Sequence, residues 1–109
     1  MTSRATHLTP GDLGLRRGEG LGPQATVVHV SSSFCAPCAA ARTVAARVAQ
    51  TVDGVRHVEV DVAGHEELAA RLQIRSTPTV LVLDAGGTVR HRLEGVPRLA
   101  WLRSAVGEA

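Results

Sequence analysis

Val27-Val28-His29-Val30-Ser31-Ser32-Ser33-Phe34-Cys35-Ala36-Pro37-Cys38 is the stretch on which the reading of this chain turns. Val27 to Val30 is a β-branched run, apolar on both faces, which suits a central and largely parallel strand ended by the three serines. From Ala36 the period changes. Ala41, Val44, Ala45, Val48 and Val52 recur at helical spacing, Arg42, Arg47 and Gln50 take other faces, and Asp53-Gly54 closes the segment. Cys35 and Cys38 therefore fall where a buried strand hands over to the first turn of a helix.

That position gives the pair its chemistry, because Cys-x-x-Cys at a strand-to-helix junction is a specific context for redox exchange. The unsatisfied N–H groups and dipole of a helix N-terminus favour a thiolate over a thiol, and each unit of lowered pKa is worth about 1.4 kcal/mol. Cys35 is expected to be that exposed thiolate. Cys38, one turn further in, is turned toward the domain, close enough to bridge with Cys35 and resolve a mixed disulfide. Pro37 fits the first turn, where a missing N–H costs nothing.

Working outward, Val58, Val60 and Val62 alternate with His57, Glu59 and Asp61 as a second strand. A helix should follow, with Glu66 and Glu67 at its positive start and Leu68, Ala69 and Leu72 as its stripe. Thr79 to Leu83 and Val89 to Leu93 flank Asp84-Ala85-Gly86-Gly87 and read as an antiparallel hairpin. A last helix runs from about Arg98 to Val106, and Trp101 packs its ring on the sheet. Residues 1–25, rich in Gly and Pro, form a segment of loop and short elements, with Thr9-Pro10 and Asp12 as a candidate helical turn. Residues 26–109 form the rest of what is one domain. The order predicts an α/β fold, a central mixed β-sheet flanked by helices on both faces.

Composition narrows the classes further. At 109 residues, with 44% hydrophobic and 20% charged side chains, the chain is an ordinary globular domain. Its net charge of +2 comes from scattered arginines without interleaved aromatics, so nucleic-acid binding is not expected. No apolar run reaches the ~18 residues of a membrane span, so no membrane is expected as a partner. A monomer is expected.

Phe34-Cys35-Ala36-Pro37-Cys38, Ile74-Arg75-Ser76-Thr77-Pro78-Thr79 and Gly95 together resemble the three active-surface segments of the thioredoxin family, over roughly residues 26 to 106. The resemblance implies a thioredoxin-like fold and a dithiol enzyme that reduces protein disulfides without a cofactor. Its electrons would come from a reductase or another dithiol donor. The resemblance also implies a cis Pro78 beside the cysteines, a Thr77 backbone that pairs with substrate like an added strand, and a Gly95 that leaves room for the substrate chain. Phe34, Ala36 and Pro37 complete that groove.

The sequence departs from the family in three places. The usual tryptophan before the first cysteine is Phe34, and the usual Gly-Pro between the cysteines is Ala36-Pro37. The third departure is His29, which stands where the family commonly has a buried aspartate thought to relay protons for the resolving cysteine. Glu59 stands where a lysine often partners that aspartate. The expectation is a swapped His29–Glu59 pair beneath Cys38, set against the plainer readings that His29 is a hydrogen-bonded core residue and Glu59 points to solvent.

Other readings weigh less. A zinc site would need two more ligands, and His7, His29, His57, His65 and His91 show no paired spacing. His57, His65 and His91 read as surface or edge residues. A static bridge across so few residues would remove little chain entropy. A thioredoxin-like adaptor with little turnover, or an oxidant or isomerase running the same chemistry, remains an alternative. Ala36-Pro37 lacks the histidine typical of strongly oxidising relatives, which favours a reductant. The low cysteine count fits the cytoplasm, while a trimmed leader would place the protein outside it.

Overall fold

The computed structural model describes residues 6–109; the first five residues of the Gly/Pro-rich segment, Arg4 among them, lie outside that range. The elements are β1 (Ala25–Ser31), α1 (Ala36–Thr51), β2 (Val55–Asp61), α2 (Glu66–Arg71), β3 (Thr79–Asp84), β4 (Val89–Glu94) and α3 (Leu99–Gly107). Strand order is β2-β1-β3-β4, with β1 parallel to β2 and antiparallel to β3, and β3 antiparallel to β4. Parallel pairing of β1 and β2 requires a crossover, which α1 supplies. β1 is flanked on both edges, and all seven of its residues are buried, as an apolar run without alternation demands.

Alternate residues of the strands feed two layers. Ala25 and Val27 join Val55, Val80 and Val82 beneath Ala45 and Val48 of α1 and Leu102, Ala105 and Val106 of α3. Val28 and Val30 join Val58, Val60, Leu81 and Leu83 beneath Leu68 and Leu72 on the opposite face. The expected mixed sheet with helices on both faces is the fold that forms. Trp101 packs at the edge of the α1 layer and meets the His91 ring edge-on, centroids 6.3 Å apart.

Leu8 and Leu13, from the Gly/Pro-rich segment, are buried in the second layer with β1 and β3. A reciprocal cap forms around Pro10: the Asp12 N–H donates to Thr9 Oγ1, and the Thr9 N–H donates to Asp12 Oδ2. The Leu8 N–H donates to the Gly87 carbonyl and the Val89 N–H to that of Thr6, both at 2.8 Å, which straps residues 6–8 to the β3–β4 turn. Gly87 has φ +96°, and a Cβ there would lie 2.2 Å from the Leu8 carbonyl oxygen, so only glycine admits this approach.

One feature of β2 bears on the site. Its polar set, His57 and Glu59, lies on the sheet face that α1 and α3 cover, because the register sets His57 opposite Val27 and Glu59 opposite His29.

Candidate active site

Cys35 is the N-cap of α1, in extended backbone at φ −105° and ψ 96°, and no acidic side chain stands in the first turn to oppose the helix dipole. Pro37 occupies that first turn. The chain enters it through Phe34, whose φ of 60° is uncommon for a bulky residue and whose ring is thrown fully into solvent. Cys35 is half-buried, whereas Cys38 lies on the buried stripe of α1 with Ala41, Ala45 and Val48. A disulfide joins the two cysteines, with Cα atoms 5.3 Å apart. The sulfur that a second molecule can reach is therefore that of Cys35.

Two further loops converge on this helix start. The Thr77–Pro78 peptide is cis. Ser32, just past β1, and Thr77 share a 2.7 Å hydroxyl–hydroxyl hydrogen bond, which ties the cysteine loop to the proline loop. The Gly95 N–H donates to the Pro78 carbonyl at 2.8 Å, and Gly95 itself sits at φ +101° as the chain leaves β4. Thr77, Pro78 and Gly95 are thus brought together, with Ala36 and Pro37 exposed at the helix start. Phe34 and Val96 are the exposed large hydrophobic residues among those described, and each adjoins one of these loops. This is the apolar rim of the site.

Beneath the helix the α1 side of the sheet turns polar. His29 has no exposed surface, and neither ring nitrogen has a hydrogen-bond partner. Its ring stacks on that of His57, centroids 6.3 Å apart and planes 23° from parallel, and His57 Nε2 is buried without a partner too. The Glu59 carboxylate is taken up elsewhere. Arg42 donates to it through Nε at 2.6 Å and Nη2 at 2.7 Å, and Ser31 Oγ donates at 2.9 Å.

The direct His29–Glu59 pair is therefore corrected: the two share a register position but no hydrogen bond. A guanidinium offers a planar two-donor fork that a single imidazole N–H does not match. His57 stands on the edge strand β2, as an edge residue should, with its ring half-buried against His29.

Burial depresses the proton affinity of His29 and His57; Glu59 partly opposes this, and Arg42 reinforces it. The Arg42 hydrogen bond is the main reason the Glu59 carboxyl is pulled down to about 2, with Ser31 helping and burial resisting. At neutral pH the site thus holds two neutral imidazoles beside a neutralised ion pair. Sequence reasoning missed Arg42, Ser31 and His57. Arg42 lies four residues after Cys38, one turn along the same side of α1, and that spacing was the available signal. His57 shares a face with Glu59 by strand alternation, but only the β1–β2 register places both beside His29.

Among the described residues, no three His, Cys, Asp or Glu side chains converge as a metal ion needs, and no helix is long and apolar enough to cross a membrane. The thioredoxin family model matches residues 22–107. A thioredoxin-like protein of Synechocystis is 28% identical over 81 residues, 73% of this chain and 76% of its relative. Chloroplastic thioredoxin z superposes with a TM-score of 0.72 at 22% identity, covering 99% of this chain and 96% of that one. Mitochondrial thioredoxin 3 of Saccharomyces cerevisiae, in its oxidised form, gives 0.68 at 19% identity over 79% of each chain. With the family's sequence pattern spanning four of its strands and the dithiol at the head of α1, this chain belongs to the thioredoxin family and is, in general terms, a thiol–disulfide oxidoreductase.

Proposed function

We propose that this chain reduces disulfides in other proteins, with Cys35 as nucleophile and Cys38 as resolving thiol. The observation that carries the reading is the asymmetry of the pair: a half-buried Cys35 at an unopposed helix N-terminus, bonded to a Cys38 only 2% exposed. The Cys35 thiolate attacks one sulfur of a substrate disulfide, and the other sulfur leaves as a thiolate. Cys38 then loses its proton and attacks Cys35 Sγ; the Cys35–substrate bond breaks and the second substrate sulfur leaves with a proton. Two electrons pass from the dithiol to the substrate, and the enzyme ends as the Cys35–Cys38 disulfide.

Phe34, Ala36, Pro37, Thr77, Pro78 and Gly95 form the groove in this reading, with the Thr77 backbone pairing an extended substrate segment as an added strand. No cofactor takes part. Electrons return from a reductase or another dithiol donor. With two cysteines in all, the protein suits a reducing compartment such as the cytoplasm.

Reduction of insulin with a dithiol donor tests this. The wild type should accelerate insulin precipitation, and Cys35→Ser should bring the rate to the uncatalysed background. Partner binding that is equal in wild type and Cys35→Ser, with no turnover in either, would replace the enzyme with an adaptor.

A further inference from the structure

Two side chains of β4 reach across to the segment that joins α2 to Pro78. Arg92 lies opposite Leu81 and Glu94 opposite Thr79, so both stand on the α2 face of the sheet. Leu72 caps α2, and Gln73 then takes the left-handed conformation at φ 53°. The Ile74 N–H returns to the Ala69 carbonyl and the Gln73 N–H to that of Ala70. Such a helix end usually places glycine where Gln73 stands, because a Cβ makes the left-handed conformation unfavourable. Among the described residues the Leu72 and Gln73 carbonyls accept no backbone N–H. Both accept from Arg92 instead, Leu72 from Nη1 and Gln73 from Nη2 at 2.9 Å. A cation thus closes the negative end of α2 and holds the residue in the unfavourable conformation.

Glu94 takes the next residues. Its carboxylate accepts from Arg75 Nη2 and from Ser76 Oγ, each at 3.3 Å. Beyond them the Ser76 carbonyl accepts from Thr79 Oγ1 at 2.8 Å, the Thr77 hydroxyl pairs with that of Ser32, and the Pro78 carbonyl accepts the Gly95 N–H. Each residue from 72 to 78 is therefore bonded to a neighbouring element. The Thr77 N–H and C=O are the exception within this frame, since among the described residues neither makes a backbone hydrogen bond. An open peptide in a segment otherwise fixed is what an added strand needs.

Resting on the disulfide-exchange reading above, we propose that Arg92 and Glu94 are positioning residues that make the site selective for disulfides carried in extended protein segments. Their hydrogen bonds go to this segment and none to a cysteine. Together they fix residues 72–76, and through them the Thr77 backbone, before substrate arrives, so that a protein segment meets a strand edge already in place. The two arms differ in strength. Arg92 holds two backbone carbonyls with the fixed fork of its guanidinium. Glu94 works at longer distances, partly on an Arg75 side chain that is 82% exposed, where solvent weakens the pair. Arg92 therefore has the larger effect. A small disulfide reaches Cys35 without a paired strand and depends on neither arm.

Comparing a protein disulfide with a small one tests this, with insulin as the first and Ellman's reagent as the second. Arg92→Met should raise the KM for insulin about 5- to 10-fold and leave kcat within about two-fold, because a segment that is competent only part of the time raises the apparent binding constant in proportion. Glu94→Ala should raise the same KM by about 2- to 3-fold, as its weaker contacts imply. Arg92→Lys, which keeps the charge without the fork, should recover part of the loss. The rate at which reduced protein reacts with Ellman's reagent should stay near the wild-type value in all three. The proposal is overturned if Arg92→Met and Glu94→Ala both keep the wild-type KM for insulin, or if both substrates slow together. Should Arg92→Met not fold, an unchanged KM in Glu94→Ala alone overturns it. A wild type that reduces neither substrate would instead overturn the disulfide-exchange reading itself.

Discussion

On the α2 side of the sheet, Val28, Val30, Val58, Val60, Leu81 and Leu83 meet Leu8, Leu13, Leu68 and Leu72, and the buried Thr26 and Thr79 hydroxyls that share the face by alternation are each hydrogen-bonded to backbone. On the α1 side the same strands begin aliphatic, with Ala25, Val27, Val55, Val80 and Val82, and end in His29, His57 and Glu59 near the cysteines. Strand alternation gives each face its own residues, so one face can be optimised for burial while the other carries groups that a pure core would reject. Among the described residues, the buried side-chain atoms left without a hydrogen-bond partner all lie on the α1 face. The aliphatic face should carry the fold, and the polar end of the other should come at a cost in stability.

The largest expected effect lies on the aliphatic face. Leu81 is fully buried in the central antiparallel strand, paired with Val28 and packed in the second layer. Leu81→Ala should cost about 2–5 kcal/mol in urea unfolding, the transfer term plus the cavity term. The rate of insulin reduction should keep its wild-type value in the fraction that remains folded. A loss under about 1 kcal/mol would show that this face is not the anchor.

His29→Leu should act with the opposite sign. It replaces a buried ring bearing two unpartnered nitrogens with an aliphatic side chain of similar size, between Val27 and Val80. Unfolding free energy should rise, by up to about 1–3 kcal/mol. A destabilisation as large as that of Leu81→Ala would erase the contrast between the faces, since His29 would then be an ordinary structural residue.

Most of the fold was legible because its signals are local. The switch in period at Ala36, the alternation through Val58 and Val60, and the glycines of the β3–β4 turn each specify an element from its own residues. So was the upper half of the site, since a cysteine pair at a strand-to-helix junction needs no tertiary information. The lower half was not. That Glu59 binds Arg42 rather than His29 depends on the β1–β2 register and on how far a guanidinium reaches from α1, neither of which is written in either segment. His57 alternates with Val58 as a surface residue would, and only the layer above it makes it half-buried. The burial of Leu8 was hidden for a related reason: its backbone partner, Gly87, is 79 residues away in sequence.

The smallest effect expected on the fold, and the finest probe of the polar end, comes from Arg42. Its side chain is 50% exposed, so its ion pair with Glu59 is screened by solvent and adds little to global stability. At pH 8, Arg42→Met should leave the urea midpoint close to wild type. Acid separates the two proteins. In the wild type, His29 and His57 have folded-state pKa values below their ordinary 6.5, so as pH falls through 6.5 the unfolded chain takes up protons first. Their contribution is fully present above 6.5 and is lost as pH falls toward the lowered folded values, by at most about 1.4 kcal/mol per pH unit for each ring. Glu59 adds a second loss of the same sign between 4.5 and about 2. Without Arg42 the Glu59 carboxylate faces the two rings unneutralised, their folded pKa values rise, and the loss between pH 6.5 and 5 shrinks. The stability curves of variant and wild type, close together at pH 8, should therefore separate in mild acid, with the variant losing less. Parallel curves over that range would mean that Arg42 and Glu59 do not set the charge state of the buried histidines.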